Sequence, residues 1–349
     1  MPLPPRARAS APSATDDVAP DGDQPTMAAT APAAVSDPAQ LVPPTPEPLV
    51  RGLVLAGRYE VAELLGSGGM ADVHRAYDTL LGRDVAVKAF RGPGESHAGR
   101  QREMRLLARF SHPGLVAVYD AGTVDEGKDH GRHFLVLELV PGRSLADVLR
   151  DGPLTGPQVA RWGQDIAEVL AFVHAAGVVH RDVKPANILL PPGVLDPGPH
   201  AVPDSGVVGG PVAPPSARLA DFGIARTARD HPASLAEQKG TPGYLSPEQA
   251  RGARPAPACD VYALGLVLVE SLSGRRAFDG TPVEQARARL RHGPRMPSGL
   301  DASWRDLLTA MTALDPGSRP GAAEVGSWLA GLGPDGATAT QDDPAERSA

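Results

Sequence analysis

His180-Arg181-Asp182-Val183-Lys184-Pro185-Ala186-Asn187 runs directly into the apolar Ile188-Leu189-Leu190. The string crowds five polar side chains (an imidazole, two cations, a carboxylate and an amide) against a short apolar segment. That is the composition of a loop carrying chemistry at the edge of a buried strand. Further on come Asp221-Phe222-Gly223, then Gly240-Thr241-Pro242-Gly243-Tyr244, then Ser246-Pro247-Glu248. Each string alone reads equally well as an ordinary loop, and a tripeptide such as Asp-Phe-Gly arises by chance. Their order along one chain is the specific signal.

Working upstream, Leu65-Gly66-Ser67-Gly68-Gly69-Met70-Ala71-Asp72-Val73 lies between two predicted strands. Glycines there let backbone N–H groups approach phosphate oxygens, although a glycine cluster between strands is commonly just a hairpin turn. On the next predicted strand, Val85-Ala86-Val87-Lys88 sets a lysine within an apolar alternation, where its charge needs a partner unless only the stem is buried. Glu103, in the helix that follows, is the matching carboxylate, and Glu95 is also close in sequence.

The 349 residues hold 34 Lys and Arg against 41 Asp and Glu, a net charge of −7 that argues against nucleic-acid binding. Apolar residues make up 42%, enough for a sizeable core. The single cysteine, Cys259, excludes an intramolecular disulfide framework and fits a reducing cytoplasm. Acidic residues Asp16, Asp17, Asp21 and Asp23 stand where a secretory signal would be apolar, so cleavage of a leader is not expected. The longest apolar run, Val261 to Val269, is too short to cross a membrane, so no membrane insertion is expected.

Residues 1–56 carry twelve prolines and no aromatic residue, and read as a disordered Pro/Ala-rich arm. Residues 332–349 read as an acidic disordered tail. Between them, strands are expected at Tyr59 to Leu65, Asp72 to Asp78, Asp84 to Phe90, Leu115 to Ala121 and Phe134 to Leu139, with one helix over 98–110. Helical spacing then dominates: Ser144 to Leu149, Pro157 to Ala176, Ser246 to Ala250, Cys259 to Ser273, Thr281 to Arg291, Ser303 to Ala313 and Ala322 to Leu329. Strands followed by helices predict two lobes of one α+β unit. Residues 191–217, with eight prolines and five glycines, read as an insertion lengthening a hairpin between Ile188 to Leu190 and Arg218 to Ala220.

In this order the strings resemble the eukaryotic-type (Hanks-type) protein kinase family, more closely its bacterial serine/threonine branch, over about residues 57–331. The resemblance implies a two-lobed protein kinase fold. Its N-lobe and hinge would span 57–140, small and β-rich with one regulatory helix, and its larger, mostly helical C-lobe would span 141–331. It implies serine/threonine phosphoryl transfer from ATP to protein hydroxyls, with Mg²⁺ (or Mn²⁺) and with autophosphorylation. The backbone of Gly66 to Ala71 would cover the phosphates, Lys88 would bind the α and β phosphates, and Glu103 would hold Lys88. Asp182 would take the acceptor hydroxyl proton, Lys184 would neutralise the γ-phosphate, and Asn187 and Asp221 would hold the metal. Adenine would lie among Leu65, Val73, Ala86 and Leu189, bonded to the backbone of the Glu138 to Val140 hinge behind a Leu137 gatekeeper. Glu248 with Arg319, and Asp260, would be structural, and His180 would anchor the catalytic loop.

Departures from the family pattern are few. Ala71 replaces the third glycine, as in related bacterial sequences, and the insertion would sit near the hinge side, as solvated filler or as a partner-binding loop. Many relatives carry a membrane helix and sensor after the kinase; neither precedes Ala349, so direct extracellular sensing is not expected. Ser234 is the preferred autophosphorylation site, with Thr227 the other hydroxyl before Gly240; Arg181 is the type that pairs with such a phosphate. Cys259 is expected to pack, and Trp162, Trp304 and Trp328 to lie in or beside the core. Two alternatives compete: a pseudokinase scaffold, which predicts a damaged site, and a small-molecule kinase of the antibiotic-phosphotransferase kind, which should lack the Asp221 and Ser246 strings. Oligomeric state is left open.

Overall fold

The computed structural model describes residues 47–69, 71–91, 110–125, 127, 129–195, 216–221 and 242–333. Six antiparallel strands form the first layer: β1 (Val54–Leu55), β2 (Tyr59–Ser67), β3 (Ala71–Asp78), β4 (Arg83–Phe90), β5 (Val118–Thr123) and β6 (His133–Glu138), in the order β1-β2-β3-β4-β6-β5. Alternation gives this sheet two faces. Val85, Val87 and Ala89 of β4 join Tyr59, Val61, Ala76 and Phe134 in one apolar cluster, while Lys88 points to the opposite face, in register with Val73 on β3 and Leu135 on β6.

The arm was expected to stay unstructured up to residue 56, but Val54–Leu55 form a strand of the sheet and residues 47–53 pack beside it. Leu49 and Leu55 are buried in the same apolar cluster, and Gly52 N–H and Val61 N–H each donate at 2.8 Å to close β1 onto β2. The short apolar words Leu49-Val50 and Leu53-Val54-Leu55 are diluted by the surrounding Pro and Ala, which is why composition hid them. Leu115, expected to open a strand, instead forms a parallel bridge with Leu219 and is captured by the core of the second lobe. Of the helix expected over 98–110, all but Phe110 lies outside the described residues.

The second lobe opens with β7 (Arg143–Ser144), unanticipated, and α1 (Leu145–Val148), followed by α2 (Gly156–Ala175), β8 (Ile188–Leu190), β9 (Arg218–Leu219), α3 (Pro247–Ala250), α4 (Pro257–Ser273), α5 (Pro282–Arg289), α6 (Ala302–Met311) and α7 (Ala322–Leu332). Ser144, Thr155, Ser246 and Thr281 cap four of these helices through reciprocal bonds with the residue three positions on. Helix α4 is apolar on every side because every side is covered: Val261, Leu264, Leu266, Val267 and Leu268 have at most 1–2% exposure. Gly274 ends it in the left-handed conformation, φ 66°. Helix α7 runs three residues beyond the expected Leu329, and Trp328 is exposed at 39%, whereas Trp162 and Trp304 are buried. Strands β7, β8 and β9 form a small antiparallel sheet whose middle strand, β8, directly follows the Asp182 loop. Among the described residues no helix is long and apolar enough to cross a membrane.

Candidate active site

The loop from His180 to Asn187 is fixed from below by a single carboxylate. Asp260, in the first turn of α4 and 1% exposed, accepts His180 N–H at 2.7 Å and Arg181 N–H at 2.8 Å, and contacts His174 Nε2 at 2.8 Å. That grip holds Arg181 at φ 70°, a left-handed conformation that costs a non-glycine residue about 1 kcal/mol and persists only where neighbours over-determine it. His180 is fully buried, its Nε2 3.1 Å from Ala220 O and its Nδ1 accepting Asp182 N–H at 3.3 Å. Burial drives its pKa below the ordinary imidazole value, against the pull of Asp260 and Asp182. An anchoring imidazole of this kind bonds to both the loop and the strand exit and does not need to exchange protons.

Upon that base, Asp182 carries the loop's carboxylate. Lys184 Nζ donates to Asp182 Oδ2 at 2.6 Å, and Asn187 Nδ2 donates to the same oxygen at 3.0 Å and to Asp182 O at 2.8 Å. Spending its amide nitrogen inward leaves Asn187 its carbonyl oxygen as a hard ligand. The Asn187 main chain continues the lock: Asn187 O accepts Ala220 N–H at 2.8 Å, which brings Asp221 alongside. Asp221 is itself left-handed, φ 58°, and its Oδ1 accepts Lys88 Nζ at 2.5 Å. Tyr244 and Leu245 line a narrow cleft with Asp182, and the buried Arg289 clamps that segment by donating to Leu245 O and Gly243 O, each at 2.9 Å.

Five of the residues singled out in sequence, Lys88, Asp182, Lys184, Asn187 and Asp221, therefore lie along one connected set of contacts. Glu103 and Met70 lie outside the described residues, as do Phe222, Gly223, Ser234 and Thr227, so the partner observed for Lys88 is Asp221. Gly66 and Ser67 end β2, paired with Val73 and Asp72, and Gly68 and Gly69 begin the turn beyond them; all four are exposed at the tip of the β2–β3 hairpin. An added Cβ at Gly66 or Gly69 would meet nothing within 4 Å, so their backbone is open to a ligand. Ala86 is buried on the Lys88 face, Val73 and Leu189 are half-buried and Leu65 is 49% exposed. Glu138 spends its N–H on Ala117 O at 2.9 Å and its side chain on Ala117 N–H at 3.2 Å.

Among the described residues there is no group of three or more His, Cys, Asp or Glu able to hold a metal by itself. Asn187 and Asp221 do fit a hard cation that takes one carboxylate, one amide oxygen and the rest of its shell from phosphates and water. Glu248 and Arg319 form a bidentate buried pair at 2.7 and 2.9 Å. Burial would raise the Glu248 pKa, but Arg319 and the Cys259 thiol outweigh it and bring it down to about 2. Cys259 packs at 1% exposure, its own pKa pushed up to about 12 by burial. The sequence reading missed Arg289 and the arginines that serve the hairpin tip; neither has a local pattern, because their partners lie tens of residues away.

The profile of the protein kinase domain matches residues 59–327. The chain is 37% identical over 278 residues to the serine/threonine-protein kinase PknB of Mycobacterium tuberculosis, covering 76% of this chain and 41% of that protein. It is 38% identical over 277 residues to PknB of Mycobacterium leprae, covering 76% and 41%. To the serine/threonine-protein kinase pkn2 of Myxococcus xanthus it is 39% identical over 236 residues, covering 65% and 26%. It therefore spans less than half the length of these relatives. With a sheet lobe bearing Lys88, a helical lobe bearing Asp182, and a matching profile over most of its length, the chain belongs to the protein kinase domain family.

Proposed function

We propose that the chain transfers the γ-phosphoryl group of ATP to serine and threonine hydroxyls of proteins. The observation that carries this reading is the Asp182 carboxylate held by Lys184 and Asn187 in a loop locked by Asp260, alongside the Lys88–Asp221 pair. Phosphoryl transfer asks a protein for position and charge neutralisation more than for covalent chemistry. Asp182 would orient the acceptor hydroxyl and take its proton as the oxygen bonds to phosphorus and ADP leaves. Lys184, already on Asp182, would sit against the γ-phosphate, and Lys88 would exchange part of its contact with Asp221 for the α and β phosphates. Mg²⁺ or Mn²⁺ would be held by Asn187 and Asp221, and when bound supplies charge neutralisation on the phosphates. Lys at position 184 and the Gly240-Thr241 step support serine and threonine as acceptors, and the lone buried Cys259 supports a reducing, cytoplasmic setting. Autophosphorylation would fall on Ser234 or Thr227.

The test is Mg²⁺-dependent transfer of labelled γ-phosphate by the wild type and by Asp182→Asn, onto the chain itself and onto a generic basic protein. Transfer by the wild type that disappears in the variant is expected, and peptide mapping then locates the acceptor. Nucleotide binding without transfer to any acceptor would instead favour the pseudokinase scaffold, although Lys88, Asp182, Lys184, Asn187 and Asp221 are all present.

A further inference from the structure

On the sheet face away from Lys88, Asp72 is fully buried and serves two arginines at once. Arg132, from the β5–β6 turn, donates to it at 2.8 Å through Nη2. Arg91, one residue past β4, donates through Nε at 3.0 Å and also through Nη2. The same Arg91 Nη2 donates to Ser67 Oγ at 2.6 Å, and Ser67 stands opposite Asp72 in the β2–β3 register. Burial alone would raise the Asp72 pKa, yet the bonds from Arg91, Ser67 and Arg132 bring it below the ordinary carboxylate value, so the carboxylate stays ionised in this cluster.

Arg132 has further work. Its Nε donates to Phe90 O at 2.9 Å, and its Nη1 to Glu47 O at 2.8 Å and to Asp129 at 3.1 Å. Two positions along the same face, His74 Nε2 accepts Leu49 N–H at 3.3 Å, while the Leu49 side chain enters the apolar cluster. The strap formed by residues 47–50 is therefore tied to Arg132 and His74, and Arg132 is tied through Asp72 and Arg91 to Ser67 at the glycine-rich tip. Charge-assisted bonds between buried groups are directional and strong in a low dielectric, unlike exposed pairs. The flanking Gly66 and Gly69 stand in open space, which makes the Ser67 bond a restraint on where the tip's backbone N–H groups lie.

We propose that Arg91 is a positioning residue for the glycine-rich turn, and that docking of residues 47–50 sets nucleotide affinity through Arg132, Asp72 and Arg91. The inference rests on the nucleotide-binding reading given above. When the strap leaves, Arg132 loses the Glu47 carbonyl and is freer to move from Asp72; Asp72 then draws on Arg91 alone, at the expense of Ser67. Lys88, Asp182 and Asn187 lie on the other face or in the other lobe and are not displaced. Because coupling between binding events is reciprocal, nucleotide must tighten the strap by the same factor by which the strap tightens nucleotide.

The full-length chain is compared with Arg91→Gln, Arg91→Lys, Leu49→Asp and the Leu49→Asp/Arg91→Gln double variant. Binding of Mg²⁺ with a non-hydrolysable ATP analogue is measured together with initial rates. The coupling predicts KM for ATP and the analogue Kd raised about three- to tenfold by Arg91→Gln and by Leu49→Asp, with kcat within about twofold. Arg91→Lys should fall between wild type and Arg91→Gln, and the double variant should show less than the product of the single effects. In the wild type, amide exchange at residues 49–53 should slow when the analogue saturates, a readout that needs no variant to fold. Unchanged exchange there, single effects that multiply, or a fall in kcat at constant KM overturns the coupling while leaving the kinase reading in place. A wild-type chain that binds no nucleotide overturns both.

Discussion

Lys88 Nζ and Asp221 Oδ1, separated by 133 positions in sequence, stand 2.5 Å apart and join the sheet lobe to the end of β9. Each is the other's counter-ion before nucleotide arrives, so both are preorganised at the place where phosphate and metal charge would be neutralised. Lys88→Met is expected to lower kcat/KM for ATP by about 100-fold or more, and Asp221→Asn to abolish transfer at any Mg²⁺ concentration reached. Steady-state rates, with far-UV circular dichroism to confirm folding, decide both. Transfer within a few-fold of wild type in Lys88→Met would remove this pair from the site.

The carboxylate of Asp260 holds two consecutive backbone N–H groups, so an amide in its place can satisfy only one of them without reorganising. Asp260→Asn is expected to cost about 1–3 kcal/mol of unfolding free energy, the penalty for an unmade buried hydrogen bond. It should lower kcat more than KM for ATP, because it releases the Arg181–Asp182 backbone and leaves the sheet lobe intact. Urea unfolding and initial rates on one preparation test both halves.

Burial holds His74 and His180 below the ordinary value of 6.5, and His112 likewise. The unfolded chain then takes up protons that the folded chain refuses. The stability these histidines contribute is present above about pH 6.5 and is lost as pH drops toward the depressed folded values. Tm measured from pH 8 to pH 5 should decline, and His74→Gln should make that decline shallower. An identical slope in the variant would show that His74 does not contribute.

Asp165 on α2 behaves oppositely. Desolvation lifts its pKa to about 6, in spite of the Ala217 N–H it accepts at 2.7 Å. Its folded form prefers the proton, so its contribution is present at low pH and lost as pH rises through about 6. Asp165→Asn retains an acceptor oxygen for Ala217 and removes the charge. Relative to wild type, the variant's Tm should improve between about pH 4 and pH 6 and level off above that; a constant difference would contradict this.

Much of the architecture was legible because it rests on local signals. The β4 alternation placed Lys88 on its own face, and Ser and Thr caps marked the helix starts within a residue or two. The loop from His180 to Asn187 stood out through the order of the strings that follow it, but the bonds that support it did not. Asp260 was marked as structural only through the family resemblance, and what it holds depends on α4 passing beneath a loop 80 positions upstream. The same holds for Asp72, Arg91 and Arg132, which read as scattered surface charges until the sheet folds them together. Leu49 and Leu55 were lost in an average over a proline-rich arm, because burial there depends on what the first strand leaves uncovered.

Val194 and Ala217 are both fully buried in the same core, and Ala217 is fastened to α2 by Asp165. The chain thus departs from and returns to one fixed base, and residues 196–215 connect two points whose separation the helical lobe has already set. Joining two such fixed points costs chain entropy that grows only logarithmically with the length between them, about 0.6 kcal/mol for each doubling. Evolution can lengthen, shorten or rewrite such a segment at little thermodynamic expense. The helical lobe therefore sets the positions of Val194 and Ala217 and leaves the length between them a nearly free variable.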